Sequence, residues 1–449
     1  MTEEAARAEP ASMGQRLLWV MDRYRGGNGM MGVPLLYRMR GQLDEQALAV
    51  AIAGLTQRHE ALRTTFGMRR RALCQFIHPR AGISVPHQVT DLRGATDPEQ
   101  AAAQVRRFLR DGLDTASAPM ATALWRTGPD EHVLVLNIHH LVTDAWSNMV
   151  LSRDLAALYS AAVLGRPAGL PSVGWQQADY TRWQAGHLTG PVLTRHQGYW
   201  SEHLRGAEFA AVPGSRTADG QRIEPVPGAL MAHEWFALPP ELITALRAAA
   251  REHRCTLFTL LVAAMLAALR ELTGQEDLAI GSVFANRAHP MTRQTAGFLA
   301  NMVVVRASAR AAAGPGAFLD GVRRSVLGAL AHQELPFLAI PFSTVAHADR
   351  PAERGRPEDI VFHMLAVPPD AGYATVAFSG LDTEPLPIPD GMGNRFDLEV
   401  LIVPSRRGLG GVVRYTPGRL DAGYVRRFAA AYLAAARTFA EAGLARAST

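Results

Sequence analysis

An α/β protein built from two subdomains is what the sequence predicts, on three observations. Apolar residues recur at helical spacing in several long segments, and short runs that are apolar on both alternating faces lie between them. The chain has 449 residues, 48% of them hydrophobic, which exceeds the size at which a single core keeps growing.

In chain order, residues 43–59 read as an amphipathic helix opened by a turn at residues 41–44, and residues 101–113 as another. The segment 58–66 reads as a helix end packing into a strand. Val133, Leu134, Val135, Leu136 and Ile138 form a run that is apolar on both faces, so this strand should be buried on both sides. Beyond it Trp146, Met149, Val150, Leu155, Leu158 and Tyr159 recur at helical spacing, with Thr143 or Asp144 as the N-cap. Glycine, proline and aromatic residues become dense between 165 and 200, as in a crossover between subdomains. The subdomains are accordingly set at residues 1–180 and 181–449. The second half opens after a loop at 212–228 with a helix pair at 240–252 and 256–272 and a strand at 278–282. Residues 346–358, rich in charge and proline, are expected to be mobile.

Between the two-sided strand and its helix stand His139 and His140, separated by three residues from Asp144. Neighbours on a strand point in opposite directions, so the two imidazoles diverge. A ring at a helix N-terminus meets the positive end of the dipole, which favours neutral imidazole and suits a general base. Other readings of these residues are a satisfied core histidine beside a surface one, or a metal site. Diverging neighbours and the missing i, i+4 histidine pair argue against metal, and none is expected.

Composition removes several other chemistries. Lysine is absent, so all 46 basic residues are arginines. That excludes a Schiff-base lysine and a P-loop lysine, and no G-x-S-x-G, H-E-x-x-H or G-x-G-x-x-G element occurs. Cys74 and Cys255 offer neither a disulfide framework nor a CxxC site, which suits a reducing cytoplasm. The N-terminus lacks the pattern of a secretory signal, and the apolar stretch 257–269 is too short to span a bilayer. The net charge of +5 comes from scattered arginines without interleaved aromatics, so nucleic acid is a poor partner. A basic surface would attract acidic or phosphate-bearing partners.

The run from His139 to Trp146 resembles the HHxxxDG signature of nonribosomal peptide synthetase condensation domains, and further elements of that family follow in order. Gln15, Arg16, Leu17, Leu18 and Trp19 resemble its Q-x-R-L-W opening, and residues 58–66 its RHExLRTxF segment. Asp179 to Gln184 resembles DYAxWQ, residues 280–290 resemble IGxxxAxRxxP, and residues 297–306 resemble GxFVNTLVLR. His332 to Phe337 and Phe396 to Leu398 resemble HQDLPF and FDL.

The resemblance implies two chloramphenicol-acetyltransferase-like subdomains in a V with an active-site tunnel between them. It implies a donor acyl thioester carried on the phosphopantetheine arm of a peptidyl or acyl carrier protein. The acceptor would be an amine or alcohol, free or carrier-bound, and no cofactor would be held by the enzyme itself. With no adenylation or carrier module beside it, the enzyme is expected to be free-standing and to work in trans. His140 would be the base or positioning group, with His139 structural. Asp144 would pair with Arg287, since a carboxylate at the core end of a strand needs a partner. The motif's glycine is Ala145 here, which with Trp146 would line the donor passage, although alanine is also a good residue in a first helical turn. Asn301 and Asp397 are expected to hold loops rather than perform chemistry. His139 in place of aspartate argues against heterocyclisation, Trp146 before Ser147 against epimerisation, and an intact second histidine against the recruitment relatives. A non-catalytic docking platform for carrier proteins and a polyketide or glycolipid O-acyltransferase are the alternatives.

Overall fold

The computed structural model describes residues 5–25, 30–79, 85–94, 99–210, 230–308, 314–342, 356–365, 376–389, 392, 395–405 and 408–447. The chain divides into two compact units. One comprises Met1–His187, Ala285–Ala300 and Ala366–Gly393, the other Leu188–Phe284, Asn301–Leu365 and Asn394–Thr449. A single cut after residue 180 therefore does not separate them. Two later segments return to the first unit, and the reason is visible in their bonding. The strand Asp382–Pro385 pairs antiparallel with Leu35–Arg40. Just before it, buried Phe378 packs its ring 5.9 Å from Tyr37 and 5.5 Å from Tyr159.

The first unit is organised around a five-stranded sheet in the order Asp382–Pro385, Leu35–Arg40, Glu131–Ile138, Met120–Gly128, His87–Asp91. Glu131–Ile138 is central and hydrogen-bonded along both edges. Its Leu134, Val135, Leu136 and Ile138 are fully buried, as their two-sided apolar pattern requires. The helices Glu45–Arg58 and Ala145–Leu164 supply Leu48, Leu55, Leu151, Leu155 and Tyr159 to the same core. Each begins on an aspartate: Asp44 accepts from the Ala47 N–H, and Asp144 from the Ser147 N–H. A three-stranded sheet of Arg7–Pro10, Ala72–Ile77 and Thr64–Arg69 completes this unit's strands among the described residues.

The second unit carries a six-stranded sheet in the order Asn301–Ser308, Asp277–Phe284, Ile360–Met364, Leu398–Ser405, Gly408–Tyr415, Ala232–Leu238. Against it lie the helices Pro240–Glu252, Leu257–Thr273, Pro315–Ala331 and Ala422–Ala447. Leu260 through Leu266 are all fully buried, so the middle of the helix Leu257–Thr273 is apolar on every side, while Arg270 and Glu271 near its end are exposed. Among the described residues no single helix is long and apolar enough to cross a membrane. Where the composition of residues 165–200 suggests a crossover, two helices form, Gln177–His187 and Gly190–Leu204, and the break between the units falls between them. The loop at 212–228 and most of 346–358 lie outside the described residues. Asn301 does hold a loop: its side-chain amide donates to the carbonyls of Gln333 and Leu335 and accepts from the Phe337 N–H.

Burial makes histidine a stability element in both units. It pushes the His203 imidazole down to about 4, with Arg306 adding to the effect. It likewise lowers His59 against the opposing pull of Asp154. Above pH 6.5 these rings are neutral whether the chain is folded or not. Below it the unfolded chain takes up protons that the folded protein refuses. Stability should therefore fall as pH drops from 6.5 towards 4, with His203 alone contributing about 3 kcal/mol, measurable as declining guanidinium midpoints. A second expectation concerns Gly281, where an added Cβ would collide with the Pro357 carbonyl oxygen. Gly281→Ala should cost about 1–3 kcal/mol, read in the same denaturation experiment.

Candidate functional site

The central strand of the first unit delivers the two histidines to a tight loop. The His139 N–H donates to the Pro119 carbonyl and the His140 N–H to the Met31 carbonyl, each at 2.8 Å, and the Val142 N–H closes a turn onto the His139 carbonyl. The side chains part as strand geometry demands. His139 is buried, and its Nδ1 accepts from the Leu141 N–H at 3.1 Å. An accepting Nδ1 leaves the proton of the neutral ring on Nε2, which faces Asp22 Oδ2 at 3.4 Å.

His140 has the opposite arrangement. Its Nδ1 lies 2.7 Å from the Thr143 carbonyl oxygen. A carbonyl only accepts, so Nδ1 must donate, and Nε2 becomes the basic nitrogen of the neutral ring. The ring is half-buried and meets Phe298 edge-on at 5.0 Å between centroids. Phe298 in turn sits against Gly14, where a Cβ would come within 2.8 Å of the Phe298 ring. Gln15 also braces the loop: fully buried, it donates through Nε2 to the Leu141 carbonyl at 3.1 Å, and it exchanges hydrogen bonds with Ser12 at the start of the helix Met13–Arg25.

Asp144 is the hub of this region. Arg287 Nη2 lies 2.9 and 3.0 Å from its two carboxylate oxygens, and the two side chains are 1% and 3% exposed. Oδ1 also accepts from the Ser147 N–H and hydroxyl, and Oδ2 from the Leu299 and Ala300 N–H groups at 3.0 Å. Every lone pair of the carboxylate is thus engaged, which offsets the cost of burying it. Ser147 Oγ bonds Asp144, Arg287 and both the N–H and the carbonyl of Gly297. Sequence reasoning missed Ser147, Gln15 and Phe298 in these roles.

The remaining expected positions are simply placed. Ala145 is the first residue of the helix Ala145–Leu164, exposed and with ordinary helical backbone, so nothing here demands glycine. Trp146 donates its Nε1–H to the Arg293 carbonyl at 3.0 Å. Among the described residues no group of three His, Cys, Asp or Glu side chains is arranged to hold a metal ion. Cys74 and Cys255 are free thiols.

A second charge cluster is centred on buried Asp154. Asp154 Oδ2 accepts from Arg58 Nε at 2.7 Å and faces His59 Nε2 at 2.8 Å, while Arg153 binds Oδ1. Burial alone would raise the Asp154 carboxyl, but His59 and Arg153 hold it below the ordinary value. This cluster ties the helix end at 58–66 firmly to the helix that starts at Asp144.

Removing one partner of a buried ion pair leaves the other charged and unpaired. Asp144→Ala is expected to lose about 3–5 kcal/mol of stability, measured by guanidinium unfolding, with Asp144→Asn losing less because the amide still accepts one set of bonds.

Comparison with known proteins follows the same lines. A family model described as the condensation domain matches residues 6–350. A linear gramicidin synthase of Brevibacillus parabrevis is 31% identical over 429 residues, covering 94% of this chain and 5% of that protein. The chain therefore spans a small fraction of the length of that curated relative. The X-domain from teicoplanin biosynthesis superposes with a TM-score of 0.80 at 22% identity, over 96% of this chain and 95% of that one. The first condensation domain of the calcium-dependent antibiotic synthetase, in complex with a substrate analogue, gives 0.76 at 19% identity, over 97% and 96%. At such identities the two structures speak for the fold alone, which is the chloramphenicol-acetyltransferase-like fold of condensation domains. With its family signature spread over most of its length and its fold matched almost end to end, the chain belongs to the condensation-domain family of nonribosomal peptide synthetases.

Proposed function

We propose that this chain joins an acyl group, delivered as a thioester on the phosphopantetheine arm of a carrier protein, to an amine or alcohol, forming an amide or ester. The observation that carries the reading is the 2.7 Å contact between His140 Nδ1 and the Thr143 carbonyl, which fixes the tautomer with a basic Nε2. Nε2 takes the proton of the nucleophile as nitrogen or oxygen attacks the thioester carbon. The tetrahedral adduct then expels the thiolate as the C–S bond breaks, and the imidazolium returns the proton to sulfur. Phe298 holds the ring edge-on, so its orientation is set before substrate arrives. Asp144 and Arg287 are assigned a positioning role: they anchor the helix that follows the loop and the segment carrying Phe298, without a contact to the reacting atoms.

In this reading Ala145 is a tolerated substitution, since its methyl is exposed at a first helical turn. The X-domain's fold likeness leaves the catalytic reading intact, because it extends to fold only.

The test is to follow the intact mass of an acyl-loaded carrier protein with a panel of amines and alcohols. Acyl loss or growth should occur with the wild-type chain and drop by roughly 10²- to 10⁴-fold in His140→Ala. Phe298→Leu, which keeps the base and loosens its packing, should lower turnover with its pH profile unchanged. A carrier that binds and co-elutes but keeps its acyl group with every acceptor would overturn catalysis in favour of a docking platform.

A further inference from the structure

On the opposite face of the strand from His140, beside His139, lies a cavity of about 320 Å³ wholly within the first unit. Its walls include Asn137 and His139 from the central strand, Asp22 from the first helix, and Arg110, Asp111 and Asp114 at and after the end of the helix Glu99–Arg110. Two polar atoms on these walls are buried and without a hydrogen-bond partner: Asn137 Oδ1 and His139 Nε2. The residues that carry them are 1% and 2% exposed. A buried polar atom left without a partner is costly, and these two share one cavity.

The chemistry of that partner can be read from the walls. Asn137 Oδ1 is an acceptor and needs a donor. His139 Nε2 carries the ring proton, because Nδ1 accepts from the Leu141 N–H, so it needs an acceptor. Asp22 Oδ2, at 3.4 Å from Nε2, makes an ion-pair distance without hydrogen-bond geometry. Three aspartates and one arginine, Arg110, are among the lining residues, and the helix Glu99–Arg110 ends here, adding the negative end of its dipole. Asp114 is partly committed, since its Oδ1 accepts from the Ala116 N–H. The environment therefore favours a cation over an anion, and one that brings both donors and an oxygen. The volume lies at the lower end of the range of small-ligand sites.

We propose that this cavity is a binding site for a small organic ammonium compound that also carries a hydroxyl or carbonyl oxygen. The ammonium donates to Asn137 Oδ1 and to the carboxylates of Asp22 and Asp111, and the ligand oxygen accepts from His139 Nε2–H. The site is separate from the Nε2 of His140, whose ring is turned to Thr143 and Phe298. It stands without the acyl-transfer reading, and its test reads binding rather than turnover.

The probe is 4-amino-1-butanol, titrated into the whole chain by calorimetry and by saturation-transfer NMR, with 1-butanol and butyrate as the uncharged and anionic controls. Saturable binding of the amino alcohol alone is expected, retained in His140→Ala and weakened at least tenfold in the double variant Asp22→Asn, Asp111→Asn. Asp111 is exposed, so the single variant Asp111→Asn keeps the fold and should weaken binding on its own if the double variant proves unstable. Absence of saturable binding, equal affinity for butyrate, or affinity untouched by removing the carboxylates overturns the proposal.

Discussion

One carboxylate organises the first unit. Asp144 caps the helix Ala145–Leu164, pairs with Arg287 and accepts from the backbone of Leu299 and Ala300. A buried charge is tolerable only when its lone pairs are filled, so each of these groups is fixed by the cost of leaving the others unmet. The segment that supplies the partners lies about 150 residues downstream, and it also carries Phe298, the ring against which His140 rests. Electrostatics at one atom pair thereby sets the position of a ring that makes no contact with it. The geometry of the imidazole is a consequence of how Asp144 is satisfied.

The two adjacent histidines show how local backbone dictates chemistry. They are identical side chains one residue apart, yet one Nδ1 receives a backbone N–H and the other faces a backbone carbonyl. The proton is forced onto Nε2 in the first and onto Nδ1 in the second. The alternation of a strand gives them different surroundings, and the tight loop after it assigns them different tautomers.

Much of this is legible in the sequence. The two-sided run at 133–138 announces a central strand, and Asp144 is one of two candidate caps. The helix expected at 43–59 runs Glu45–Arg58, and that at 256–272 runs Leu257–Thr273. The pairing of Asp144 with Arg287 follows from the family resemblance and the need to compensate a buried carboxylate. What escapes is of a different kind. Ser147 and Gln15 act through hydrogen bonds to positions 150 and 126 residues away, and neither burial pattern nor periodicity encodes such a partner. The boundary between the subdomains escapes for the same reason: the strand Asp382–Pro385 looks like part of the second half until its ladder with Leu35–Arg40 is seen.

That ladder has a consequence for how the protein is made. The edge of the first sheet that Leu35–Arg40 presents stays open until Asp382–Pro385 has emerged, roughly 250 residues after the central strand is complete. At ribosomal speeds this is a wait on the order of 10–50 s, during which a hydrophobic strand edge is exposed to whatever lies nearby. Arg287 and the backbone that fills Asp144 arrive earlier but still long after the histidine loop. The nascent chain thus holds its histidine loop in an unfinished frame, and slower translation or an early stop would leave a species prone to pair with another copy of itself.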